Sequence, residues 1–449
     1  MSLPIEARLA AAGLPPLPRT AWLEIDLDRL SGNLAAIRGL LPGGVGVEPV
    51  VKADAYGHGA TIVAAWLERT GATGLCVATL DEGLQLRAAG IGLPILILYP
   101  IPPGRVADAL AARLALTVAD VTLLERTLTA ARAATTGTAG AVLVVHVEVE
   151  TGLGRAGIAP ADLPAAIAAI RATPRVELAG VWSHLAAPDD LARSRRQAVA
   201  FEAAVGSALG GLPSGARGPI RHLAATGGLL AVSVPAYDRV RLGLGLYGLV
   251  PDGLVAGGGR AGAAATAAAT VAALLRPVMS LHARPIRVVE LPADHGLSYG
   301  PSFVTVRPSR IASLPVGYGD GWVRAFSNRA GALVRGRRVP LVGTVAMDAV
   351  LADVTDIPGP PVTVDDEFVL LGEQTGPLGS AAIGAAELAQ ERTSISWEVV
   401  TQMSQRLPRV YHASAVPVGL RTLTEEIHLW PPESNSGTGI SATSRSMPS

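Results

Sequence analysis

The chain has 449 residues, more than one ordinary core accommodates, which points to two domains. Its formal net charge is zero, so no bulk field draws it to nucleic acid or to an anionic membrane. The single cysteine, Cys76 in "GLCVATL", excludes an intramolecular disulfide framework, fits a reducing compartment and reads as a small buried hydrophobe.

Residues 1–21 contain charges and prolines but no continuous apolar core, so they form an N-terminal segment and not a signal peptide. No apolar run reaches the ~20 residues a membrane span needs, and the expected location is the cytoplasm. From Trp22 to residue 250, candidate strands alternate with amphipathic stretches. The strands are "VEPVVKA", "GLCVATL", "PILILYP", "LALTVAD", "AVLVVHVEVE", "VELAGVWSH", "IRHLAAT" and "DRVRLGLGL". Helix-like stretches such as "GATIVAAWLERTG" and "DDLARSRRQAVAFEAAVGSAL" lie between them. Strands too apolar for one-sided burial, alternating with helices, imply a parallel sheet covered on both faces. Eight such units favour an α/β fold of the closed (β/α)8 barrel type, although an open doubly wound sheet fits the same pattern.

Residues 251–276 are Gly/Ala-rich and read as a linker or insertion, partly helical. Over 277–412 helices become scarce and strands joined by Gly, Pro and Asp turns predict a C-terminal mainly-β domain. One late helix is expected around "AAELAQERTSISWEVVTQMSQRL". Residues 413–449 form a tail, expected to be disordered from about Glu433. No internal repeat is found and no metal site is assigned.

Lys52 in "VVKADAYGHG" falls at the C-terminal end of the first barrel strand, where barrel enzymes place their active sites. Partial desolvation there lowers an amine's pKa and suits it to Schiff-base chemistry, while a snorkelling surface lysine is the plain alternative. "LAATGG" after the seventh strand and "RLGLGLYG" at the eighth occupy positions where barrels bind phosphate through backbone N–H groups and a hydroxyl. Thr226, Gly227, Gly243 and Leu244 are the candidates. "GLGLYG" also matches the dinucleotide fingerprint, but "LVPDG" follows where a helix should open, so that match is discounted. A lysine and a phosphate cradle at one barrel mouth suggest pyridoxal phosphate.

"VVKADAYGHG" resembles the cofactor-binding signature of the alanine racemase family, whose enzymes join a barrel to a β domain and use pyridoxal 5'-phosphate. The resemblance runs from about Trp22 to Tyr411. It recurs in order at "ETGLGRAG", "WSHLAAPD", "RLGLGLYG", "LSYGPSF", "VGYGDGW", "GTVAMD" and "SISWEV". It implies that Lys52 carries the cofactor and acts as base on one face, while Tyr299, supplied by a partner subunit, acts on the other. Tyr56, Thr226, Gly243 and Leu244 would hold the phosphate. Arg241 would meet the pyridine nitrogen, and His184 would contact the ring and support Arg241. Arg155, Met347 through its backbone and Tyr318 would face the substrate. Sharing sites in this way implies a homodimer.

Several positions depart from the family pattern. Glu148 stands where the family often has a carbamylated lysine, and Glu150 where it has an aspartate. Trp397 replaces a tyrosine, Ala225-Thr226 an asparagine-serine pair, Leu242 a proline and Thr344 an entrance arginine. Asp189, that arginine's expected partner, and Arg324, another entrance arginine, are retained. The resemblance implies an isomerase interconverting L- and D-alanine for the bacterial cell wall. A racemase or lyase acting on another amino acid such as serine, and a non-enzymatic pyridoxal phosphate carrier, are the alternatives.

Overall fold

The computed structural model describes residues 3–135, 140–210, 218–254 and 262–430, together with the backbone of 443–446. Its contacts divide into two compact units: Ser31–Ala55 with Val63–Arg276, and Met1–Leu30 with Tyr56–Ile62 and Pro277–Ser449.

The first unit is a closed parallel barrel. Counting Ala21–Asp26 as β1, its strands are β2 (Gly46–Pro49), β3 (Leu75–Val77), β4 (Ile95–Ile97), β5 (Ala115–Val118), β6 (Leu143–Glu148), β7 (Val176–Trp182), β8 (Ile220–His222) and β9 (Arg239–Leu242). Strands β3 to β8 hydrogen-bond in chain order, and β9 pairs with β2 in the register Val47↔Val240 and Pro49↔Leu242. Single bridges, Val50 to Cys76 and Ala225 to Arg241, join β2 to β3 and β8 to β9 and complete the ring. An open doubly wound sheet is thereby excluded. Every residue of β3 and β4 is buried, as expected for strands covered on both faces. Helices Ala60–Arg69, Leu80–Ala88, Val121–Thr135 and Leu191–Leu209 form where the amphipathic stretches predict them. Between β6 and β7 the register slips at Val145/His146, setting His146 opposite Gly180. A Cβ at Gly180 would collide with the His146 ring, so glycine makes room for a buried imidazole there.

The second unit is built on a thirteen-stranded sheet. Here the structure departs from the sequence reading. The strand β1, which contains Trp22, does not enter the barrel. It pairs antiparallel with Met279–Ala283 and parallel with Arg409–Ala413. The helix Ile5–Ala11 covers this region through Ile5 and Leu9, which pack with Trp22, Val410 and Leu420. Strands Val416–Arg421 and Glu425–His428 continue the sheet past residue 412, and the backbone of 443–446 pairs with the latter. The rest of the tail from Glu433 lies outside the described residues. The expected late helix is two, Ala385–Glu391 and Ser396–Thr401, because Thr393 adopts φ 56° between them and a left-handed residue ends a right-handed helix. Within 251–276, Ala263–Leu274 is helical with Ala265, Ala268 and Val271 buried, while 255–261 lies outside the described residues.

Candidate active site

The site is assembled at the C-terminal ends of the barrel strands. Strand β2 runs through the buried Val50 and Val51 to Lys52. Then Ala53, Asp54, Ala55 and Tyr56 all take φ between 51° and 55°. A left-handed conformation costs non-glycine residues roughly 1–2 kcal/mol each, and such strain persists only where surrounding contacts enforce it. The Lys52 amine makes no hydrogen bond or ion pair with any described residue. Burial pushes its pKa below the ordinary lysine value, the Arg155 cation adds to this, and Glu82 opposes it. Lys52 is also the only lysine in the chain, although Lys and Arg together number 37. That fact was available from the sequence and marks the position more sharply than its location at a strand end.

Arg241, on β9, is 3% exposed and forms the hub of a buried polar array. Its Nη1 donates to His222 Nδ1 at 2.7 Å and to the His222 carbonyl at 3.1 Å. Its Nη2 donates to the Ser183 carbonyl at 2.6 Å and faces His184 Nδ1 at 3.3 Å. The guanidinium also lies 4.6 Å from the centre of the Trp182 ring, a cation–π contact. The Arg241 Nε makes no hydrogen bond among the described residues.

Because Arg241 donates to Nδ1, a neutral His222 carries its proton on Nε2, which faces His146 Nδ1 at 3.2 Å. All three imidazoles are held neutral by burial and neighbouring cations. Burial, then Arg239 and Arg241, bring His146 down to about 3. Burial, then Arg241, Arg155 and Lys52, do the same for His184. His222 is also driven well below its ordinary value, by burial and then Arg241. His222 escaped the sequence reading because in "IRHLAAT" it looks like any strand residue.

Arg155 is 40% exposed and sits between two groups. Glu148 Oε1, at the buried end of β6, lies 3.5 Å from its Nη2, and the Tyr99 ring centre lies 5.3 Å from its guanidinium carbon. Tyr99 follows β4 and carried no signal in the sequence. Burial pushes the Glu148 carboxyl above its ordinary value, and Arg155 pulls it back.

At the far side of the ring the buried Thr226 hydroxyl accepts from Gly245 N–H at 3.2 Å. The Gly243 N–H donates to no described residue. "GLGLYG" opens a single 3-10 turn, Leu244–Tyr247, and not an α-helix, so the dinucleotide reading fails for want of its helix. A Cβ at Gly245 would stand 2.8 Å from Thr226 Cγ2, which explains why this turn needs glycine.

The remaining sequence-predicted residues belong to the second unit. Tyr56 is 9% exposed. Tyr299 is 76% exposed in the turn joining strands Gly296–Leu297 and Phe303–Val304. Tyr318 and Met347 are also exposed. Hydrogen bonds from Tyr318 N to the Ala346 carbonyl (3.0 Å) and from Ser298 Oγ to the Thr344 carbonyl (2.5 Å) tie these loops together. Trp397 is half-buried, Arg324 is exposed, and Asp189, in the barrel unit, is exposed without an ion pair among the described residues.

The barrel groups fit pyridoxal phosphate. An unpartnered amine of lowered pKa suits its aldehyde, the unspent Nε of a buried arginine suits its ring nitrogen, and a free N–H with a buried hydroxyl suits its phosphate. The model for the alanine racemase N-terminal domain matches residues 25–251, and that for the alanine racemase C-terminal domain matches 278–411. An alanine racemase of Sorangium cellulosum is 36% identical over 400 residues, covering 88% of this chain and 99% of its own. One of Symbiobacterium thermophilum is 37% identical over 395 residues, covering 88% and 97%. Among solved structures, alanine racemase from D-cycloserine-producing Streptomyces lavendulae aligns with a TM-score of 0.76 at 34% identity, covering 89% of this chain and 98% of that one. The alanine racemase of Bacillus anthracis with bound L-Ala-P aligns at 0.78 and 29%, covering 91% and 99%. The matched barrel and β domain together place the chain in the alanine racemase family of pyridoxal-phosphate-dependent isomerases.

Proposed function

We propose that the chain interconverts L- and D-alanine, with Lys52 and Tyr299 as the two acid/base groups. The observation that carries this reading is the Lys52 amine: the only lysine, at a barrel mouth, partnerless, and biased toward its neutral form by burial and Arg155. When bound, pyridoxal phosphate supplies the electron-withdrawing ring that acidifies the substrate's Cα–H. A neutral Lys52 takes or returns that proton on one face, and the Tyr299 phenol does so on the other, because one amine cannot readily serve both. Arg241 is assigned to the ring nitrogen. A guanidinium does not readily yield its proton, so Arg241 would leave that nitrogen unprotonated, which would favour proton return over transamination.

Thr226, Gly243, Leu244, Tyr56 and Trp397 are assigned to the phosphate. Arg155 and the Met347 backbone are assigned to the substrate carboxylate, with Tyr318, Arg324 and Asp189 at the entrance. Glu148 keeps Arg155 oriented. The exposure of Tyr299, Tyr318 and Met347 on linked loops supports a homodimer in which these residues complete the partner's site. Among the described residues no helix is long and apolar enough to cross a membrane. The cytoplasm is the location assigned to the chain.

A second reading, racemisation of another amino acid such as serine, is favoured by one observation. Thr344, where the family pattern has an entrance arginine, carries no charge and shares a hydrogen bond with Ser302 at 3.2 Å, so this wall lacks that cation. Chiral assay of the purified protein against L- and D-amino acids separates the two readings. Borohydride reduction followed by peptide mapping should place the cofactor mass on Lys52. Attachment elsewhere, such as at the N-terminal amine, contradicts the assignment.

A further inference from the structure

Glu82 lies in the first turn of the helix Leu80–Ala88, which follows β3. One of its carboxylate oxygens has an ordinary task. Oε2 accepts from Ala78 N at 2.6 Å and Thr79 N at 3.1 Å, and the Thr79 hydroxyl accepts from Glu82 N at 3.3 Å, completing a capping box. The other oxygen is not needed for a cap. Oε1 accepts from the Ala53 N–H at 2.6 Å, the amide that opens the left-handed turn immediately after Lys52.

Within this turn, Ala55 N donates back to the Val51 carbonyl at 2.9 Å, across the lysine. Lys52 is therefore bracketed by a strand end that the barrel fixes and by a strained turn fastened to a neighbouring strand's helix. The same carboxylate is the strongest acidic influence on the amine, opposing the effect of burial and of Arg155.

We propose that Glu82 is a positioning residue for Lys52: its carboxylate fastens the first peptide of the left-handed turn to the end of β3 and so fixes where the amine stands. This rests on the reading of Lys52 as the cofactor-carrying residue. Lys52 has no hydrogen-bond partner of its own to hold it, so its placement depends on its backbone, and the Ala53 amide is the backbone group next to it. No local spacing in the sequence marks this contact, which joins residues 29 positions apart.

The test compares Glu82→Gln and Glu82→Ala with Thr79→Ala, which weakens the cap but leaves the contact to Ala53. Two quantities are read on full-length protein as purified: hydrogen exchange at Ala53, and the rate of cofactor release followed by absorbance. A charge-assisted hydrogen bond lost from Ala53 should raise both about tenfold or more in Glu82→Ala, with a smaller rise in Glu82→Gln, which keeps an acceptor oxygen. Thr79→Ala should leave both near the parent values. Unchanged Ala53 exchange in Glu82→Ala, or an equal effect from Thr79→Ala, overturns the proposal and leaves Glu82 a helix cap. Amide exchange does not depend on where the cofactor is attached. Mapping the cofactor to the N-terminal amine would therefore overturn the Lys52 reading separately.

Discussion

Glu148 and Arg155 form an ion pair of 3.5 Å in which the carboxylate is buried at 3% and the guanidinium is 40% exposed. The pairing holds the inner side of Arg155 and leaves its outer side for an anion. In the alanine racemase resemblance this position is often a lysine that becomes anionic by carbamylation, whereas Glu148 needs no modification. Glu148→Gln is expected to retain the cofactor but lower kcat/KM by about tenfold, the scale of one charge-assisted contact. Bicarbonate should not stimulate the parent enzyme. Burial raises the Glu148 carboxyl, so the parent should show an acid limb above the ordinary 4.5 that disappears in the variant. Steady-state kinetics against pH, with and without bicarbonate, check all three outcomes.

Stability should depend on pH through the buried histidines. His146 and His184 are held near 3 in the folded chain against an ordinary 6.5, so below 6.5 the unfolded chain binds protons that the folded chain refuses. Their contribution is complete above pH 6.5 and is lost as pH falls toward 3. Each histidine lowers stability by at most about 1.4 kcal/mol per pH unit in that window. Denaturant midpoints measured from pH 8 to 4 should fall accordingly. His146→Asn, which retains a side-chain acceptor for His222, should flatten the slope.

Much of the fold was legible because buried parallel strands leave continuous apolar runs, and all eight runs are barrel strands. Lys52, Arg155 and Arg241 were legible from motif context. Pairing between distant segments was not. Nothing local in the strand β1 marks which sheet it joins, and only its long-range partners, Met279–Ala283 and Arg409–Ala413, assign it to the β-domain sheet. His222, Tyr99 and Glu82 were missed for a similar reason. Each acts through a contact with a residue 19 to 56 positions away, which no local spacing encodes.

Substrate range should differ from that of family members with tyrosine and arginine at the two altered positions. The Trp397 indole donates but cannot accept, and Thr344, bonded to Ser302, offers no cation where the family pattern has an arginine. The double variant Trp397→Tyr with Thr344→Arg should change the relative rates for alanine, serine and larger amino acids. Identical ratios in parent and variant would show that neither position selects substrate.

The central claim is that Lys52 and Tyr299 act on opposite faces in a site shared by two chains. Lys52→Ala and Tyr299→Phe proteins should each lose about 10²–10⁴-fold in racemisation, Tyr299→Phe with its cofactor linkage intact. The decisive measurement is alanine racemisation after the two inactive proteins are mixed under conditions of demonstrated subunit exchange. Recovery of activity is expected, because a mixed dimer contains one site with both groups. No recovery from a verified mixed dimer would contradict the shared two-base site.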